Sequence, residues 1–105
     1  MMVLQIMKWN VLPGKAKEYS EWAQQAISKT VQIPGVVEFR AYRPASGKHQ
    51  VVVTYEFADM EAWAKWQGSK ESQDVLLELR NVACDVSIEL WGPSPVAPEP
   101  IRPAG

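Results

Sequence analysis

Few side chains in this chain could do acid–base chemistry, and most of those recur at every second position of extended segments. Glu38, Glu56, Asp85 and Glu89 are the carboxylates available as general bases on one strand face. Enclosure would raise such a carboxyl's pKa toward the range a base needs, because desolvation disfavours the charged form. Spacing alone does not single one out, and Glu56 stands for the set. Arg40 alternates with Glu38 and Tyr42, so it could steady an oxyanion or enolate. An ordinary cross-strand pair with Glu56 is the competing reading. His49, where a turn meets a strand, reads as a surface histidine, and with no companion ligands nearby no metal site is expected. Cys84 is the only cysteine; in register with Val82, Val86 and Ile88, it reads as a small buried hydrophobe rather than a nucleophile. There is no Ser/His/Asp constellation, phosphate-binding glycine loop or dinucleotide fingerprint.

The elements that must position these groups follow from hydrophobic period and punctuation. Val3 to Leu12 has a period near two, with Leu4 and Ile6 expected on the core face and Gln5, Met7 and Trp9 on the other; Pro13-Gly14 ends it. Tyr19, Trp22, Ala23, Ala26, Ile27 and Thr30 recur at helical spacing between Lys15 and Gln32, and Pro34-Gly35 breaks that helix. Val36 to Arg43 and His49 to Phe57, joined by Pro44 to Lys48, predict a hairpin, with Val37, Phe39 and Ala41 expected on the core face in alternation with Glu38, Arg40 and Tyr42. Asp59 is suited to cap a short helix carrying Trp63 and Trp66, and Gly68-Ser69 to break it and cap a second piece, Lys70 to Arg80. In the last strand, Val82 to Trp91, Val82, Cys84, Val86, Ile88 and Leu90 are expected to face the core.

Strand, helix, strand, strand, helix, strand is the split β-α-β order, so the fold class is α+β: ferredoxin-like βαββαβ, a four-stranded antiparallel sheet with its helices on one face. At 105 residues the chain reads as one domain over 1–91, followed by a proline-rich tail over 92–105. The net charge of −1, from 11 basic and 12 acidic residues in no block, carries no footprint for nucleic acid or an anionic membrane. The first segment reads as a strand rather than a targeting or spanning segment, and the cytoplasm is the default location. The second sheet face is expected to combine Met7, Trp9, Val52 and Trp91 with Gln5, Glu38, Arg40, Tyr42 and Glu56. A water-facing surface seldom carries such apolar groups together, so pairing with a second copy through this face is the expected partnership, with a small organic molecule in a pocket beside it.

Several local motifs carry a family resemblance over about residues 3–91: Leu12-Pro13-Gly14-Lys15 before an amphipathic helix, Ile33-Pro34-Gly35-Val36 before the second strand, Phe57-Ala58-Asp59 through Ala62-Trp63, and Trp66-Gln67-Gly68-Ser69. Together the chain resembles the dimeric α+β barrel superfamily, in its antibiotic-biosynthesis-monooxygenase-like branch. The resemblance implies a homodimer with two sheets face to face and a cofactor-independent monooxygenase acting on an aromatic or quinol-type substrate, with no metal and no organic cofactor. It implies that Trp66 walls a cavity for a planar substrate; together with the readings of the strand residues above, the candidate catalytic residues are Trp66, Arg40 and Glu56, and the candidate substrate contacts are Met7, Trp9, Glu38, Tyr42 and Trp63. Haem-degrading members of the superfamily use a strand-one asparagine, the helix tryptophan and a later histidine. Those positions fall at Met7, Trp66 and near Leu76, so haem degradation is not expected. The alternative expectation is a non-enzymatic ligand-binding or assembly protein of the same fold.

Overall fold

In the computed structural model, which describes residues 1–104, the chain forms β1 (Val3–Val11), α1 (Ala16–Gln32), β2 (Val36–Tyr42), β3 (Val51–Phe57), α2 (Met60–Gln67), α3 (Lys70–Leu79) and β4 (Ala83–Trp91). The punctuation works as the residue types require. Asp59 accepts from the Ala62 amide at 2.8 Å and starts α2. Ser69 accepts from the Ser72 amide at 3.2 Å while donating to the Trp66 carbonyl at 2.7 Å, so one hydroxyl closes α2 and opens α3. Gly35 takes a φ of +118°, with the Ala62 carbonyl oxygen 3.4 Å from where a Cβ would stand, so only glycine passes the chain from α1 into β2 without strain.

The sheet order is β2-β3-β1-β4, antiparallel throughout, which makes β1 and β3 the central strands. Helices α1 and α3 pack together, and the helices cover one face of the sheet. The core between the two layers is built on Phe57, Val3, Leu79 and Trp66, with Tyr19, Trp22, Phe39 and Leu76 packed around it. This is the expected ferredoxin-like α+β fold. Gly92 to Ala104 contains no helix or strand.

The faces differ from expectation in three places. In β1, Met7 stands opposite Val53 and Ile88, so Gln5, Met7 and Trp9 lie on the helix side, and Leu4, Ile6 and Lys8 lie on the outer side with Val52, Thr54 and Glu56. The expected assignment of β1 is therefore reversed. A central strand with apolar residues on both faces offers no polarity difference to choose between them, and a slip of one residue exchanges the two faces completely. In β2, the register shifts between Val36 and Glu38. Val36 packs on the core and Val37 is 59 % exposed, although Phe39 and Ala41 face the helices as expected. In β4, the register shifts opposite Lys8 to Asn10, and Asp85 takes a φ of +54°. The extra residue changes the phase, so Ala83 joins the core in place of Cys84, which is half-buried. His49 Nε2 lies 3.1 Å from the Asp85 carbonyl oxygen and Asn10 Nδ2 donates to Asp85 Oδ2 at 3.4 Å, which ties the bulge to the β2–β3 loop.

Candidate functional site

A cavity of about 100 Å³ lies between the helices and the sheet. β1 supplies Gln5, Met7 and Trp9, the other strands supply Phe39, Val53, Tyr55 and Ile88, and α1 supplies Tyr19, Trp22 and Thr30. The α2–α3 pair supplies Trp66, Gln67, Ser72 and Leu76. No Asp, Glu, Lys, Arg or His stands in this lining. Its titratable groups are the phenols of Tyr19 and Tyr55. Burial raises both above the ordinary phenol value, outweighing the hydrogen bonds from Trp9 and with Thr30 that act the other way. Both are neutral donors at physiological pH.

Aromatic rings fix the cavity wall. Trp66 is 2 % exposed, with its ring centroid 4.8 Å from Tyr55 and 5.2 Å from Phe57, and its Nε1 donates to the Thr30 carbonyl at 3.0 Å. Thr30 Oγ1 lies 3.0 Å from the Ala26 carbonyl oxygen and 2.9 Å from the Tyr55 hydroxyl. A threonine has one hydroxyl hydrogen, and the helix carbonyl can only accept, so Tyr55 is the donor to Thr30. Trp9 Nε1 donates to the Tyr19 hydroxyl at 3.2 Å, Trp22 Nε1 to Glu78 Oε1 at 2.9 Å, and Trp63 Nε1 to Gln5 Oε1 at 2.8 Å. Each inner indole is thereby held by a hydrogen bond as well as by packing.

The other face of the sheet carries an open groove of about 450 Å³ bordered by Leu4, Ile6, Lys8, Glu38, Arg40, Tyr42, Val52, Thr54, Glu56 and Trp91. Glu38 and Glu56 are register partners, two carboxylates directly across from each other. The Arg40 guanidinium sits 5.8 Å from the Tyr42 ring centroid, and among the described residues it forms no ion pair. Lys8 approaches Glu89 at 3.6 Å and lies over the Trp91 ring. The Trp91 indole donates to Glu89 and holds its carboxyl below the ordinary value; Ser87 and Lys8 act in the same direction.

The residues singled out from sequence thus fall into two groups. Met7, Trp9 and Trp66 share the inner cavity, and Trp63 reaches it through Gln5. Arg40, Glu56, Glu38 and Tyr42 share the outer groove. The sheet stands between them, so within one chain Arg40 and Glu56 do not meet Trp66. Met7 and Leu76, at or near the positions where the sequence resemblance puts the asparagine and histidine of haem-degrading members, both line the cavity and make those two points apolar. The polar lining residues not weighed from sequence as site residues are Gln5, Tyr19, Thr30, Tyr55, Gln67 and Ser72. The signal for Tyr19 and Thr30 was available, since a hydroxyl on the apolar stripe of α1 needs a partner inside the protein.

Among the described residues no group of three or more His, Cys, Asp or Glu is placed to hold a metal ion, and no helix is long and apolar enough to cross a membrane.

Similarity to known proteins points the same way as the fold. The family model for antibiotic biosynthesis monooxygenase matches residues 2–76. No curated protein matches the chain. Solved structures similar to it include a dabb family protein with a ferredoxin-like fold from Mesorhizobium loti, at 16 % identity and a TM-score of 0.79, covering 89 % of this chain and 97 % of that one. SnoaB, a cofactor-independent oxygenase from Streptomyces nogalater, has 16 % identity and a TM-score of 0.73 over 93 % of this chain and 98 % of its own. A dimeric ferredoxin-like protein from Thermobifida fusca has 15 % identity and a TM-score of 0.73 over 87 % and 90 % of the two chains. At these identities the solved structures speak for the fold, and the family model, spanning most of the chain, speaks for descent: this chain belongs to the antibiotic biosynthesis monooxygenase family.

Proposed function

We propose that the chain is a small-molecule-binding protein that holds a neutral aromatic ligand in the cavity between its helices and its sheet, and that it works as a homodimer joined through the outer sheet face. The observation that carries the ligand reading is the uncharged cavity walled by Trp66, Trp9, Tyr55 and Met7. Apolar concave sites with a few placed polar groups are the usual form of small-molecule sites. The dimer reading is supported by the outer groove, where Ile6, Val52 and Trp91 surround the Glu38–Glu56 pair. Like charges directly opposed on a strand pair repel; Arg40 from a second copy would offset them and bury the apolar groups at once. Residues 1–91 form the working domain in this reading, and the proline-rich residues after Trp91 form an extended arm.

Catalysis is the further reading. The family's name and SnoaB's description as a cofactor-independent oxygenase support oxygenation of an activated aromatic ring carbon. With dioxygen as oxidant, a phenol would lose its hydroxyl hydrogen and one ring hydrogen, the ring carbon gaining a carbonyl oxygen to give a quinone and the second oxygen atom leaving as water. The separation of Arg40 and Glu56 from Trp66 favours binding without turnover, because the inner cavity holds no carboxylate to remove the first proton. Native mass spectrometry of the purified protein tests the main reading: a dimer carrying a small organic adduct is expected, and a bare monomer would overturn it. Oxygen uptake with single-ring phenols and hydroquinones tests turnover. Uptake lost in Trp66→Phe would establish the oxygenase reading, and no uptake leaves the binding protein.

A further inference from the structure

We propose that Gln5 is the residue that orients the ligand, presenting its carboxamide N–H donors to a carbonyl oxygen on a neutral aromatic compound of a single ring. The proposal rests on the cavity being the binding site, and adds to it the ligand's functional group and size.

Gln5 is the third residue of the central strand β1 and is only 2 % exposed. Its Oε1 lies 2.8 Å from Trp63 Nε1. An indole N–H can only donate, so the amide cannot be turned end for end without setting N–H against N–H. Trp63 therefore fixes which end of the carboxamide is oxygen. The nitrogen end has no hydrogen-bond acceptor among the described residues. It is not sealed in protein either, because no fully enclosed side-chain nitrogen or oxygen among the described residues lacks a partner. The space that Gln5 borders is the cavity. An amide nitrogen that is reachable and has no protein acceptor is free to donate, and an acceptor oxygen on a ligand in the cavity is a partner for it.

A second donor borders the same cavity from the helix side. The Tyr19 hydroxyl accepts from Trp9 Nε1, and its own hydrogen has no acceptor among the described residues. Donors without a charged group select a ligand with an acceptor and no charge: a carboxylate or phosphate would meet no cation here, and an ammonium no anion. Size narrows the class further. An apolar cavity of about 150 Å³ takes a benzene ring, and drug-sized ligands occupy about 300 Å³ or more. At about 100 Å³ this cavity is near one ring and far from a fused polycycle.

Isothermal titration of the full chain with acetophenone, ethylbenzene and 1-acetylnaphthalene tests each part. In Gln5→Leu, acetophenone affinity should fall about fivefold to tenfold while ethylbenzene stays within about twofold. Ethylbenzene binding also reports that the variant's cavity is intact. In the unmodified protein, the infrared carbonyl band of bound ¹³C-labelled acetophenone should shift to lower wavenumber, the mark of an accepted hydrogen bond. A band at the unbonded position, or equal losses for ketone and hydrocarbon in Gln5→Leu, overturns the role of Gln5. Naphthyl ketone binding as tight as acetophenone overturns the single-ring limit. Binding of none of the three would overturn the ligand-binding reading itself, and this inference with it.

Discussion

The helix side of the sheet is closed by Trp66, Phe57 and Leu79 and encloses polar groups that are all neutral, whereas the outer side leaves Lys8, Glu38, Arg40 and Glu56 at an open groove. The same strands build both, with adjacent residues pointing opposite ways. Each face therefore has a different vocabulary for a partner. The inner one offers ring area and hydrogen-bond donors, which suits a small uncharged molecule. The outer one offers mixed charge over apolar ground, which suits a surface like itself. Chemistry that needs both a cation and an indole has to be divided between them.

The largest test of this contrast is Trp66→Ala. A fully packed indole that also closes the Thr30 carbonyl should cost about 3–5 kcal/mol in urea denaturation; a loss under about 1 kcal/mol would mean that the inner wall is soft and that the faces differ less than their packing implies. Next in size is Arg40→Glu, which adds a third carboxylate beside Glu38 and Glu56. Self-association followed by sedimentation should weaken at least about tenfold, with the fold's own stability moved by no more than about 0.5 kcal/mol. An unchanged dissociation constant would remove the outer face from the interface. The smallest is Tyr55→Phe, worth about 1 kcal/mol at neutral pH through its bond to Thr30. Its pH dependence has a definite sign. Because burial raises the Tyr55 phenol in the folded state, its stabilising contribution is complete below the unfolded value near pH 10 and fades as pH rises through the higher folded value. Melting temperatures measured between about pH 8 and 11 should fall for the parent chain and fall less for Tyr55→Phe.

Element order, helix caps and the α2–α3 break were readable in the sequence because each depends on local chemistry: Asp59 and Ser69 cap, and Pro34-Gly35 must interrupt. Phase was not readable wherever the strands depart from simple alternation. The bulges near Val37 and Asp85 each shift a strand by one residue, and neither residue type announces a bulge. In β1, Ile6 and Met7 are both buried, on opposite sides, so hydrophobicity could not tell inside from outside. That single inversion is what merged two separate surfaces into one expected pocket. Gln5 shows the same limit from the other direction. Its polarity suggested the outer face, and what places it inside is Trp63, 58 positions away in the chain.

The placement of the tryptophans also gives the molecule a built-in optical reporter. Of the five, Trp9, Trp22 and Trp66 border the cavity, while Trp91, 48 % exposed, borders the outer groove. Iodide, an anion with no cation to meet in the apolar cavity, should quench chiefly Trp91, and a guest in the cavity that quenches by contact should dim chiefly the inner three. Emission from one unlabelled sample can then follow both faces, with the red component tracking what covers the outer groove and the blue component tracking what fills the inner one.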